Sequence, residues 1–150
     1  KAPEQYLDTL VQIGVKRIIA HYGSTERFAD IVAHAKAHDY LLGLAFTNDV
    51  FESEQSSLDE LLAQVDYVQV MGIKTVGAQG QPFDERTLTT VRTLHEALPS
   101  LTIAVDGSVN AKTIPSLVAA GATRLAPGSA VVAASDPVTA YQSLAALVGD

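Results

Sequence analysis

The sequence predicts an α/β fold built around a parallel sheet, on three observations. Segments with apolar residues at helical spacing alternate with short, continuous apolar runs, which is the mark of successive β/α units. The 150 residues are 47% hydrophobic and 18% charged, enough for one buried core and too few for two domains of ordinary size. No linker, low-complexity tract or charge block interrupts the alternation, so residues 1–150 read as a single α/β domain.

The elements follow in order. Residues 3–13 place Tyr6, Leu7, Leu10, Val11 and Ile13 on one helical face behind Pro3, and Gly14 ends the helix. Arg17 to His21 (RIIAH) is a buried strand. Residues 24–37 carry Phe28, Ile31, Val32 and Ala35 at helical spacing, and Tyr40 to Phe46 (YLLGLAF) returns to strand. Ser57 with Glu60 three residues later fits a capping box for a helix holding Leu58, Leu61, Leu62 and Val65. Tyr67 to Ile73 (YVQVMGI) is the third strand, and Asp84 caps a helix that runs through Leu98. Leu101 to Val105 (LTIAV) is a strand, residues 110–120 a helix ended by Gly121, and Arg124 opens a short last strand. Asp136 and Pro137 open the final helix, with proline where a missing N–H costs least.

The expectation is therefore five strands and six helices. The pattern alone fits an open doubly wound sheet or a section of a closed (β/α)8 barrel. A full barrel takes about 200–250 residues, so either the sheet is open or further strands belong to it.

Charge and composition exclude several function classes. Seventeen acidic against ten basic residues leave a net charge of −7, a field that repels nucleic acid and anionic membrane. Cysteine is absent, which removes disulfides, thiol catalysis and cysteine-ligated zinc while leaving histidine and carboxylate ligands. No run approaches the roughly 18–20 apolar residues of a membrane span, and KAPEQYLDTL lacks the basic flank and apolar centre of a signal peptide. The expectation is a soluble, cytoplasmic protein without nucleic-acid or membrane partners. A chain that opens on Lys1 instead of methionine is further expected to be processed or partial.

In parallel α/β folds the chemistry gathers at the carboxyl ends of the strands. Three segments there stand out. After the third strand comes Gly72 to Phe83 (GIKTVGAQGQPF), a loop whose glycines let backbone N–H groups converge on an anion. Val105 to Asn110 (VDGSVN) puts the Asp106 carboxylate at a strand tip with small residues before a helix, a geometry suited to acid/base work beside phosphate. Ala126 to Ala130 (APGSA) follows the last strand, where barrels hold phosphate.

The histidines read differently. His21 ends a strand and is expected to be hydrogen-bonded packing. His34 and His38 stand at i and i+4, a spacing that can hold metal, yet are expected to form a solvated helix face. His95 is expected at the surface. Met71 fills the core unless its place near the strand tip turns the thioether toward a ligand.

Taken together, Pro3 to Tyr6, Val68 to Gly72 (VQVMG), Gly77 to Phe83, Val105 to Asn110 and Gly128 to Ala130 resemble the ribulose-phosphate 3-epimerase family in order and spacing. The resemblance implies the C-terminal part of a TIM (β/α)8 barrel, with about five of its strands present as a partial barrel. It further implies an isomerase that interconverts D-ribulose 5-phosphate and D-xylulose 5-phosphate in the pentose phosphate pathway. In such enzymes a divalent metal ion (zinc, iron, manganese or similar) polarises the substrate while two aspartates exchange the C3 proton from opposite faces.

By that resemblance Asp106 matches the second aspartate, as catalytic group and metal ligand. Gly107, Ser108, Gly128 and Ser129 match the phosphate-gripping segments, together with Gly77 and Gly80 of the loop. Met71 matches a methionine beside the reacting carbons. The family's first aspartate and two metal-binding histidines lie on its second and third strands, which leaves Asp106 as the one matched ligand of four. Where the family doubles a glycine after the aspartate, this chain has Gly107 and Ser108, and its loop carries fewer glycines. The alternatives are a non-catalytic module that binds a phosphosugar, and an epimerase or aldolase-type enzyme for another ketose phosphate. Unpaired outer strands imply a homo-oligomer.

Overall fold

The structure, a computed structural model, describes residues 2–78 and 80–148. Five parallel strands, β1 (Arg17–His21), β2 (Leu41–Thr47), β3 (Tyr67–Met71), β4 (Thr102–Asp106) and β5 (Arg124–Ala126), form one sheet in the order β1-β2-β3-β4-β5. Every strand pairs with its neighbour in sequence, from Arg17 against Leu41 to Asp106 against Ala126. A doubly wound sheet reverses its strand order at a switch point, and this sheet has no reversal. The architecture is a five-stranded section of a (β/α)8 barrel.

Around the sheet lie a 3-10 turn (Pro3–Tyr6) and helices α1 (Leu7–Gln12), α2 (Phe28–His38), α3 (Asn48–Ser53), α4 (Gln55–Leu62), α5 (Arg86–Ala97), α6 (Ile114–Ala120), α7 (Gly128–Val132) and α8 (Pro137–Ala145). Six helices were expected, and eight stand among the described residues. The two extra ones are single short turns of helix directly after β2 and β5. Thr47 starts α3 by accepting the Val50 N–H at its hydroxyl, and α7 begins on the small residues Gly128 and Ser129.

Other boundaries move by physical causes. The capping box at Ser57 does not form: α4 already begins at Gln55, so Ser57 lies inside it and Glu54 precedes it without a side-chain cap. α2 begins at Phe28, because residues 22–27 are spent on a turn in which the Ser24 N–H bonds the His21 carbonyl. Residues 110–113 form a turn before α6, closed by Thr113 and Asn110 side chains on their own backbone. Asp84 stands one residue before the N-cap of α5, where its carboxylate accepts the Arg86 N–H at 3.2 Å. Asp136 caps α8 as expected, accepting the Val138 and Thr139 N–H groups.

The alternating burial of β1 shows how the sheet is covered. Ile18 and Ala20 enter the core with Phe28, Ile31, Val32 and Ala35 of α2, while Arg17, Ile19 and His21 are exposed on the other face. That other face is the one a closed barrel turns inward. On it Tyr67 of β3 lies across Gly43 of β2, where an added Cβ would meet the Tyr67 ring at 2.4 Å. Arg124 of β5 stacks its guanidinium 5.3 Å from the centre of the same ring. No helix among the described residues is long and apolar enough to cross a membrane.

A buried polar network ties the helix after β2 to the start of α5. The buried Asn48 amide donates to Thr87 Oγ1 at 2.9 Å and accepts from the Thr90 hydroxyl at 2.9 Å. Beside them Asp84, also buried, is clamped by Arg86, which reaches on to Asp49 and Glu52. The Arg86 guanidinium, helped by Asn48 and the Arg86 backbone N–H and opposed by burial, holds the Asp84 carboxyl at about 2. Its value in the unfolded chain is the ordinary 3.8. A carboxyl depressed on folding contributes stability that is present above pH 3.8 and is lost as the pH falls toward 2. Asp84→Asn is expected to cost about 2 kcal/mol at neutral pH and to flatten the decline in stability between pH 4 and 2, as read by denaturant melts across that range.

Candidate active site

The carboxyl ends of β3 and β4 are drawn together by a backbone bond that requires glycine. Met71 pairs with Asp106, and immediately beyond them the Gly72 N–H donates to the Asp106 carbonyl at 2.7 Å. A Cβ on Gly72 would stand 2.3 Å from the Gly107 carbonyl oxygen, so the two chains touch as only a glycine permits. Gly107 itself turns at φ 98° with Ile73 packed where its Cβ would be. Ser108 follows at φ 53°, a left-handed conformation that glycine would adopt more readily. Its strain is offset locally: the Ser108 hydroxyl donates to the Gln81 carbonyl, and its own carbonyl accepts from Asn110 Nδ2 and the Thr113 hydroxyl, both at 2.9 Å.

These turns wall a cleft of about 450 Å³. One side is Ala78, Gly80 and Gln81 of the long loop, the floor is Asp106 to Asn110, and the far side is Ala126 with Gly128 to Ala130 at the start of α7. Gln81 does double duty, since its side-chain oxygen accepts the Thr75 N–H at 3.3 Å while its carbonyl holds Ser108. The residues on these walls carry backbone N–H groups, and those in the first turn of α7 have no carbonyl of the same helix to bind. Such concave sets of N–H groups suit an oxyanion.

Among the described residues Asp106 is the one carboxylate on the cleft wall. As the last residue of β4, one position further along the strand than its sequence indicated, it is fixed at its backbone by sheet pairing on both sides. Its Oδ2 accepts from Gln69 Nε2 at 3.3 Å, and the same amide lies 3.6 Å from the Met71 sulfur. A carboxylate held through one oxygen keeps lone pairs of the other free for a proton.

Of the residues singled out from sequence, Gly80, Asp106, Gly107, Ser108, Gly128 and Ser129 meet in this cleft. Met71 and Gly77 do not line it. Met71 is buried at the end of β3 next to Asp106, and Gly77 serves the loop as a turn at φ 89°. Gln79 of that loop lies outside the described residues. His21 is exposed at the end of edge strand β1, on the far side of β2 and β3 from β4. His95 is exposed as expected, although one side of its ring packs on Gly121, where a Cβ would lie 2.5 Å away.

Sequence reasoning missed Gln69, Gln81, Ala78 and Asn110 as site residues. Gln69 had a legible signal, being the one polar residue in the apolar strand YVQVM. Ala78, Gln81 and Asn110 lie inside the two segments singled out, but which members of a loop face the cleft depends on a fold that is not written in its residue types.

A larger cavity of about 540 Å³ opens at the amino ends of β1 and β2, beside Lys16, Arg17, Lys36, Asp39 and Asp66. Its mixed charges sit where barrels keep stability rather than chemistry, so the cleft at the carboxyl ends is the candidate. As a metal centre that cleft is incomplete: among the described residues it offers one carboxylate, the two amides of Gln81 and Asn110 and the hydroxyls of Ser108 and Ser129, too few carboxylate or imidazole donors for a resident divalent cation.

The sequence signature of the Ribulose-phosphate 3 epimerase family matches residues 1–132, and the chain belongs to that family. A ribulose-phosphate 3-epimerase of Schizosaccharomyces pombe is 30% identical over 137 residues, covering 90% of this chain and 58% of that protein. Its counterpart in Eremothecium gossypii is 31% identical over 134 residues, covering 89% and 54%. A cytoplasmic isoform of ribulose-phosphate 3-epimerase from Oryza sativa subsp. japonica is 29% identical over 136 residues, covering 90% and 59%. The chain thus spans between 54% and 59% of the length of these relatives. Among solved structures, a 3-hexulose-6-phosphate synthase superposes with TM-score 0.78 at 22% identity, over 99% of this chain and 70% of the other. Orotidine 5'-monophosphate decarboxylase from Sulfolobus solfataricus gives 0.73 at 16% identity, over 97% and 66%. Those two likenesses carry the fold alone.

The contact between Gly72 and Gly107 is expected to be intolerant of any side chain. Gly72→Ala should cost about 2 kcal/mol by overpacking, seen as a lowered Tm, whereas Gly128→Ala should cost less, because its backbone is not left-handed and nothing lies within 4 Å of its added Cβ.

Proposed function

We propose, with membership of the ribulose-phosphate 3-epimerase family as the premise, that this protein epimerises D-ribulose 5-phosphate and D-xylulose 5-phosphate at C3. In this reading the cleft takes the phosphate end of the sugar, and Asp106 exchanges the C3 proton. The observation that carries it is the pairing of one positioned carboxylate with a cleft walled by N–H-bearing turns at the carboxyl ends of three adjacent strands.

The chemistry follows from that pairing. The phosphate dianion meets backbone N–H groups from Gly80, from Gly107 and Ser108, and from Gly128 and Ser129, an arrangement that binds without a cationic side chain. Anchoring the phosphate fixes the distance from that end of the sugar to the carbon Asp106 addresses. The Asp106 carboxylate accepts the C3 proton, the C–H electron pair moves toward C2, and the C2 carbonyl oxygen takes the negative charge of an enediolate. Return of a proton to C3 completes the cycle. The Gln69 amide keeps the carboxylate oriented, as a positioning residue, while Met71 excludes water beside it. A carboxylate addresses one face of C3, so inversion needs a second proton donor on the opposite face.

Domain, partners and location complete the proposal. We read residues 1–150 as one α/β domain acting on a small-molecule ketose phosphate. β1 and β5 each lack a neighbour on one side among the described residues, which favours association of copies through the sheet edges. The rice relative named as a cytoplasmic isoform supports a cytoplasmic location.

Proton NMR of ribulose 5-phosphate in D₂O tests the reading. The chain is expected to wash out the C3–H signal, and Asp106→Asn to slow that exchange by about 100-fold or more. Exchange that is equally fast in a folded Asp106→Asn protein would overturn the role of Asp106, and binding without exchange would favour a non-catalytic phosphosugar module.

A further inference from the structure

A second cluster of chemistry-bearing side chains lies in the helical layer outside the sheet, where α1 meets α2. Asp8 of α1 and His34 and His38 of α2 bring one ligand atom each to within 4.8 Å of one another. His34 Nε2 is 3.0 Å from Asp8 Oδ1, and the two imidazoles stack with centroids 4.2 Å apart. We propose that Asp8, His34 and His38 form a binding site for a divalent transition-metal cation of the zinc class.

The donor set and its geometry carry the inference. Two imidazoles at i and i+4 with one carboxylate are the three protein ligands that zinc takes when a fourth position is left to water. Tetrahedral coordination at about 2.0–2.1 Å from each ligand atom places the ligand atoms roughly 3.3 Å apart. The Asp8–His34 pair is already at that spacing, and the 4.8 Å limit leaves His38 a side-chain adjustment of an ångström or two. Hard cations are disfavoured because two of three donors are nitrogen.

A further contact prepares His34 for the role. Its other ring nitrogen, Nδ1, stands 3.2 Å from the hydroxyl of the buried Tyr40. A hydroxyl can donate or accept. In the tautomer that carries its proton on Nε2, the Nε2–H donates to Asp8 and Tyr40 donates to Nδ1. With metal, the ring takes the other tautomer, Nδ1–H donates to Tyr40, and the Nε2 lone pair and the Asp8 carboxylate both face the cation. A histidine ligand oriented through its second nitrogen is the usual form of such sites.

Metal here would clamp α1 to α2, on side chains that do not line the cleft of Asp106, and so stabilise the fold without entering the reaction. Isothermal titration of the metal-stripped chain with ZnCl₂, together with the Tm in the presence and absence of zinc, tests it. The unaltered chain is expected to bind one equivalent and to melt higher with zinc. His38→Ala and Asp8→Asn, both changes at exposed side chains, should each weaken binding at least about tenfold and abolish the zinc-dependent rise in Tm. Asp106→Asn should leave both unchanged. No binding by the unaltered chain, or binding that survives His38→Ala and Asp8→Asn in folded protein, would overturn the site. Loss of the zinc effect in Asp106→Asn would move the metal to the cleft and equally overturn it.

Discussion

The register between β3 and β4 is the constraint on which the site depends. Pairing Met71 with Asp106 brings Gly72 against the backbone after Asp106, at a distance that excludes a Cβ on Gly72. A slip of one residue would turn Asp106 into the layer beneath the helices and bring the buried Val105 to the face that now carries the carboxylate. From that contact follow the turn at Gly107, the left-handed Ser108 and the hydroxyl bond that draws Gln81 and its loop over the floor. The cleft is thus a consequence of strand register, and the loops finish what the register starts.

A second network supports the same end of the sheet from outside. Asn48, Thr87 and Thr90 satisfy one another in the core, and Asp84 with Arg86 closes the network toward α3. Because the Asp84 N–H donates to the Gly72 carbonyl, the clamp on Asp84 also anchors the return of the long loop. Burying four polar side chains is costly unless each finds partners, and here each does. The rigidity this gives the carboxyl ends of β2 and β3 is what a positioned carboxylate such as Asp106 requires.

Much of this was legible in the sequence, and the reasons differ by element. The five strands announced themselves as short apolar runs, because strands covered on both faces, such as β2, β3 and β4, need apolar residues at nearly every position. Asp106 and the small-residue turns were legible because they follow strands, where parallel folds put chemistry. Two expectations failed for local reasons: Ser57 lies within a helix that starts earlier, and the helices after β2 and β5 are too short to show a period. Barrel section against open sheet was not legible from pattern alone, since strand order is a fact of pairing and not of composition. Gln69 illustrates the remainder: its polarity was visible, but its hydrogen bond to Asp106 depends on a register that only the folded sheet supplies.

The proposed reaction requires an anionic ligand to bind at the carboxyl ends of β3, β4 and β5 through backbone N–H groups. A ¹H–¹⁵N correlation spectrum of the labelled chain, titrated with inorganic phosphate and then with ribulose 5-phosphate, tests it most directly. Saturable shifts are expected to concentrate on the amides of Gly80, Gly107, Ser108, Gly128 and Ser129. Shifts that gather instead around Lys16, Arg17 and Lys36 at the opposite end of the sheet would contradict it.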